Sequence, residues 1–174
     1  TNNPYGTPDR PRLSIPLNLP AGSVVEVHGG VSPPNPNGGA TIRGTGTLQQ
    51  PIFVRGTDFT NKPRLLGTAN FGDGVNVDGA YIIVENVDIS PFSPNVNSGF
   101  STLPGTHHAS LRYSDIHGGV GGPDSAVYPS GDNDFPGMVV HDVVVYNNII
   151  HDNGDWQTQI DEDHHGVGIG DYSE

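Results

Sequence analysis

Hydrophobic residues in this chain come in short β-branched bursts separated by polar turn residues, and the bursts repeat. The stretch Tyr81 to Ser90, YIIVENVDIS, returns as ASLRYSDIHGG and again as VVVYNNIIHDNG. Superposing Val84, Leu111 and Val145 also superposes Ile89, Ile116 and Ile150, with Asn86, Tyr113 and Asn147 in register between them. The offsets, 111 − 84 = 27 and 145 − 111 = 34, are unequal, which assigns the extra residues to loops. A repeat of roughly 20 to 35 residues built on such a strand predicts a stacked solenoid, because one unit cannot bury its apolar face alone.

A second series accompanies the first. Val75 and Val77 in GVNVDG, Phe100 in SGFSTL, and Ala126 with Val127 in SAVYP each precede one copy; Val167 and Ile169 in GVGIG are the fourth member. Each coil is therefore expected to carry two short strands separated by a tight turn. Ser23 to His28 (SVVEVH) reads as the first clear strand, and VSPPNPNGG reads as a loop by its turn residues. Ile52 and Val54, alternating with Phe53 and Arg55, open the regular stack. Residues 1–22 read as an N-terminal cap segment in which Leu13, Ile15, Leu17 and Leu19 alternate, and residues 23–174 as the coils. The pattern stops before the fourth copy gains its partner strand, so the coils are expected to continue past Glu174, or a second copy to cover the open sheet edge head to tail. No window keeps a helical period without a Gly or Pro interrupting it. The fold class expected is all-β, a parallel β-helix incomplete at its C-terminal end.

These repeats resemble those of right-handed parallel β-helix proteins of the pectin-lyase-like superfamily. Gly46-Thr47 followed by Pro51-Ile52-Phe53-Val54-Arg55-Gly56 is similar to the first-coil motif of polysaccharide lyases acting on alginate and chondroitin-type glycans. HHGVGIG resembles the Gly-His-Gly element of polygalacturonases, but Asp161 and Asp163 stand immediately before the histidines rather than a coil earlier, and the Arg-Ile-Lys element is absent. The resemblance implies a secreted, extracellular or cell-surface module that binds or cleaves a polysaccharide, with Ca²⁺ as the expected ion.

Charge narrows the partners. Nineteen acidic residues against seven basic ones, Lys62 being the only lysine, give a formal charge of −12. Such a surface disfavours nucleic acid and repels an acidic glycan, unless divalent cations bridge the two or a local Arg pocket outweighs the field. No apolar run approaches the roughly 20 residues of a membrane span. With no cysteine, disulfides and thiolate metal sites are excluded.

Candidate chemistry concentrates in HDNGDWQTQIDEDHHG. Asp161 and Asp163, at i and i+2 of an extended segment, point to one side. With Asp152 and Asp155 they suit Ca²⁺, which takes six to eight oxygens, and with His164 and His165 they suit general acid and base work. Trp156 and His151 are candidate sugar contacts. A lyase also needs a cation for the developing enolate. Arg112 is placed outward by alternation, where it lines a groove with Tyr113, Asp115, His117, His107 and His108 or pairs with Glu85 one coil below. Asn86, Asn147 and Asn148 read as turn residues that tolerate left-handed backbone and bond across coils. A different class of function fits the same pattern: a non-catalytic structural or adhesive solenoid whose end stacks on another module.

Overall fold

The computed structural model describes residues 6–7, 9–12, 14–29, 31–32, 40–65, 73–90, 98–119, 125–130, 138–154 and 165–170. Its described elements are all strands, and they wind as successive coils of three. The first coil is β1 (Asn18–Leu19), β2 (Val24–Val27) and β3 (Val31–Ser32); the second is β4 (Ala40–Thr45), β5 (Ile52–Gly56) and β6 (Arg64–Leu65). The third is β7 (Asp73–Ala80), β8 (Ile82–Glu85) and β9 (Asp88–Ile89); the fourth is β10 (Ser98–Thr102), β11 (Ser110–Arg112) and β12 (Asp115–His117). The fifth is β13 (Val127–Tyr128), β14 (Val144–Tyr146) and β15 (Ile149–His151).

Every third strand joins the same sheet, and all the pairings are parallel. Sheet one runs β1-β4-β7-β10-β13, sheet two β2-β5-β8-β11-β14, and sheet three β3-β6-β9-β12-β15. This is a parallel β-helix. Val127 forms a further parallel bridge to Val167, so GVGIG continues the first series as its spacing predicts. No helix among the described residues is long and apolar enough to cross a membrane.

Three coils' worth of pattern read as one strand is in fact two. The chain between Val84 and Ile89 breaks at Asn86, with φ 55°, and the same left-handed corner recurs at Tyr113 (φ 54°) and Asn147 (φ 52°). A left-handed residue reverses the pleat locally and turns the chain from sheet two into sheet three, so each coil carries three strands rather than the two expected. A second corner, between sheets one and two, stacks Tyr81, His108 and Asp142, with φ between 52° and 55°. After sheet three, Gly118 and Asp152 occupy the third corner. β1 lies within the segment expected to be cap; it pairs with β4, so sheet one reaches back to Asn18.

Inside, like residues stack on like. Val25, Val54, Val84, Leu111 and Val145 form one column in sheet two, and Leu65, Ile89, Ile116 and Ile150 another in sheet three. Ala40, Val75, Phe100 and Val127 stack in sheet one. From Val54 to Leu111 and from Leu65 to Ile116 these side chains are 1% exposed or less. Each such burial stabilises by about 1.5–3 kcal/mol, and period two then fixes which residues face out.

Asparagines brace the corners, though not by pairing with one another. Asn148 accepts the backbone N–H of Ser114 through Oδ1 at 2.8 Å and donates through Nδ2 to the Leu111 carbonyl at 2.8 Å. Asn153 does the same one corner later, to Gly119 N–H and the Ile116 carbonyl. Asn86 donates to the Gly56 carbonyl at 2.8 Å. Each ties its own coil to the backbone of the previous one.

Candidate functional site

The outward positions of sheet two carry a ladder of alternating charge. Register stacks Glu26, Arg55, Glu85, Arg112 and Tyr146 in one column. Arg55 pairs with Glu26 at 2.8 Å and Arg112 with Glu85 at 2.7 Å. The Arg55 guanidinium holds Glu26 below the usual carboxylate range. Arg112 thus sits outward, as alternation predicts, and makes the expected ion pair; its guanidinium also lies 5.9 Å from the Phe53 ring centroid.

At the corner between sheets one and two, five chemistry-bearing side chains meet. Ala80, His107 and His141 bridge in sequence across coils, and Tyr81, His108 and Asp142 stack beside them. The rings of His107 and His141 lie 5.0 Å apart and 3° from parallel, and Tyr81 stacks on His108 at 4.4 Å. His107 Nδ1 and His108 Nδ1 are 2.8 Å apart. Two such atoms approach that closely only when one carries a proton and the other does not, so one of the pair is held with an unprotonated nitrogen. Desolvation, then the neighbouring His108 and His141, push His107 below its ordinary pKa, favouring the neutral ring. His141 Nδ1 donates to Asp142 at 2.8 Å, and this bond lowers the Asp142 pKa. Left-handed backbone at a Tyr or His costs on the order of 1–3 kcal/mol, where Gly or Asn would hold the corner at less.

The corner between sheets two and three continues the face with aromatic rings. Tyr113 packs edge-on against Tyr146 at 5.7 Å and against Phe59 at 6.4 Å. Phe59 and Tyr146 are exposed. Beyond this corner, on sheet three, lie Asp88, Asp115, His117 and His151, with Asp152 2.7 Å from His151 Nδ1. The Asp152 hydrogen bond, with the charge of Asp115, raises the His151 pKa.

The sequence grouped Arg112, Tyr113, Asp115, His117, His107 and His108 in one groove; the structure divides them. The left-handed turn at Tyr113 puts Arg112 on the sheet-two face and Asp115 with His117 round the edge on sheet three. Asp152 is an exposed partner of His151, and His165 is exposed, its carbonyl accepting the Ala126 N–H at 2.9 Å. Asp155, Trp156, Asp161, Asp163 and His164 lie outside the described residues. Tyr81, His141 and Asp142 did not stand out in the sequence. The repeat offsets of 27 and 34, applied to His107 and His108, would have found them.

Among the described residues, two sets of three groups each bring one metal-ligand-type atom within 4.8 Å of the others: His108, His141 and Asp142, and Asp115, His117 and His151. In the first set His108 Nδ1 lies against His107 Nδ1, and His141 Nδ1 and His108 Nε2 both face the Asp142 carboxylate.

The fold and its outward histidines define a parallel β-helix with a polar, ring-rich face. No family model matches the chain, and no curated protein does. Among solved structures it is similar to the alginate lyase from Paenibacillus sp. str. FPU-7, with a TM-score of 0.41 and 16% identity over 87% of this chain and 56% of that one. The chain therefore spans just over half the length of that enzyme.

Proposed function

We propose that this β-helix is an extracellular module that binds and cleaves an acidic polysaccharide by β-elimination, with sheet two and its two flanking corners as the working face. The observation that carries the reading is the 2.8 Å contact between the His107 and His108 ring nitrogens beside the Tyr81 ring. Elimination from a uronate needs a base for the proton α to the carboxyl group and an acid for the departing glycosidic oxygen. A neutral imidazole of the histidine pair takes the proton; the electron pair forms the C4–C5 double bond, the C4–oxygen bond breaks, and the Tyr81 phenol protonates the leaving oxygen. Arg112 and Arg55 are cations of this face, and Tyr113, Tyr146 and Phe59 offer ring faces to sugars. Assistance by Ca²⁺ at the loop containing Asp161 and Asp163, and membership of the pectin-lyase-like superfamily, belong to the same proposal.

The test is ultraviolet absorbance of the unsaturated product on a panel of uronate polymers. His107→Gln and Tyr81→Phe are each expected to lower the rate by about 10²–10⁴. An active protein whose rate survives both substitutions would sink the assignment of this corner. A second reading rests on a different observation: Val144, Tyr146 and Ile149 of the last described coil are exposed by more than half. Apolar side chains at these positions would suit a structural or adhesive solenoid that stacks on another module, a reading that predicts concentration-dependent self-association with no glycan effect.

A further inference from the structure

Sheet three stacks like charges on its outer face. Asp88 and Asp115 are register partners, and neighbouring parallel strands lie about 4.8 Å apart, a placement that destabilises a sheet unless positive charge intervenes. The next outward positions carry His117 and His151, also register partners, with rings 4.9 Å apart and 10° from parallel. Each imidazole leans back one coil. His117 Nε2 lies 3.3 Å from Asp88 Oδ1, and His151 Nε2 lies 3.1 Å from Asp115 Oδ1. Arg64 closes the row 4.0 Å from Asp88, and the Ser90 hydroxyl also bonds Asp88.

We propose that Asp115, His117 and His151 form a binding site for a divalent first-row transition ion of the Zn²⁺ type, clamping β12 to β15. Their candidate ligand atoms lie within 4.8 Å of one another. A tetrahedral shell with metal–ligand bonds of about 2.0–2.1 Å has edges of about 3.4 Å, so small rotations of these partly exposed side chains close it. His151 is already set up as a ligand. Its Nδ1 donates to Asp152 at 2.7 Å, which leaves Nε2 aimed at Asp115. A carboxylate behind the distal nitrogen is the arrangement that fixes ring orientation and strengthens a metal-bound imidazole. Asp88 stands next to His117 but is committed to Ser90 and Arg64. Two imidazoles and one carboxylate select a transition ion over Ca²⁺, which prefers six to eight oxygens. Three protein ligands leave a fourth position for water or a substrate oxygen. The site lies on sheet three and stands independently of the elimination chemistry proposed for sheet two.

The experiment is calorimetric titration of the whole chain with Zn²⁺, paired with the ligand-field spectrum of Co²⁺ as a geometric probe. Expected are one equivalent bound at this site, a tetrahedral Co²⁺ spectrum, and a higher melting temperature. The double variant His117→Ala with His151→Ala, checked for its β circular dichroism signal, should lose that equivalent and the spectrum. Asp152→Asn should weaken affinity about 10- to 100-fold without abolishing it. A control variant, Asp161→Asn with Asp163→Asn and His164→Ala, should keep the Co²⁺ spectrum. Absence of any binding, unchanged binding in the double histidine variant, or loss only in the control would each overturn the proposal.

Discussion

Two adjacent asparagines, Asn147 and Asn148, hold the same corner by different means, and substituting them separately tests how the coils are joined. Asn147 supplies left-handed backbone, φ 52°, and its side chain is exposed. Asn148 supplies its amide, bridging the Ser114 N–H and the Leu111 carbonyl of the previous coil at 2.8 Å each. Ser114 is wholly buried. Asn148→Ala removes the bond to Leu111, worth about 1 kcal/mol, and leaves the Ser114 N–H without its amide partner, at about 1–3 kcal/mol. The total is about 2–4 kcal/mol. For a chain of this size 1 kcal/mol shifts the melting temperature by about 2–4 °C, so a fall on the order of 10 °C is expected. Asn147→Gly, by contrast, puts the residue that favours positive φ where positive φ is required, and should stay within about 1 kcal/mol of the parent. Thermal melts followed by circular dichroism of the β signal read both. If the two variants shift alike, or Asn148→Ala melts within about 2 °C of the parent, the amide is not what joins the coils at this corner.

Other expectations follow from single positions. At Gly79, φ is 134° and a Cβ would sit 1.9 Å from the Gly44 carbonyl oxygen of the neighbouring strand. Gly79→Ala should therefore destabilise by about 3 kcal/mol or more, measured by urea unfolding; a shift below about 1 kcal/mol would contradict this backbone approach. His107 faces His108, His141 and Asp142, and its pKa is held below the ordinary 6.5. The unfolded chain then binds the proton first as pH falls, so stability present above 6.5 is lost as pH drops through the lowered value. His107→Gln should flatten the decline in melting temperature between about pH 7.5 and pH 5, and an unaltered slope would show that His107 does not carry it. On the proposed chemistry, cleavage should rise with pH across that same window, as neutral imidazole is regained.

The solenoid was legible because its inward residues repeat in kind. Val84, Leu111 and Val145, like Ile89, Ile116 and Ile150, are apolar at matching offsets, and a stacked core demands that. The third sheet was not legible, because a left-handed corner leaves no hydrophobic signature. Asn86 hints at one, whereas Tyr113 at the same place looks like a strand residue. β4 was hidden for a related reason, since ATIRGT follows a Pro- and Gly-rich run and carries a single large apolar residue, Ile42. The outward ion pair of Arg112 with Glu85 could be read from alternation plus the repeat offset. The same offset of 34 carries His107 to His141 and His117 to His151, so those pairings could be read too; what the offset does not carry is the side-chain geometry that gathers them with His108, Asp142 and Asp115.

That register also makes the outside of the molecule a lattice of addresses, each defined by a coil and a position within it. The connection from β13 to β14 is longer than that from β10 to β11, yet Val145 still meets Leu111 and His141 still meets His107. Loop length is therefore decoupled from surface pattern. A duplicated coil would extend the molecule by one rung and print another row of the same side chains, while a lengthened loop would roof over a row without moving it. Chemistry on such a body is edited one square at a time.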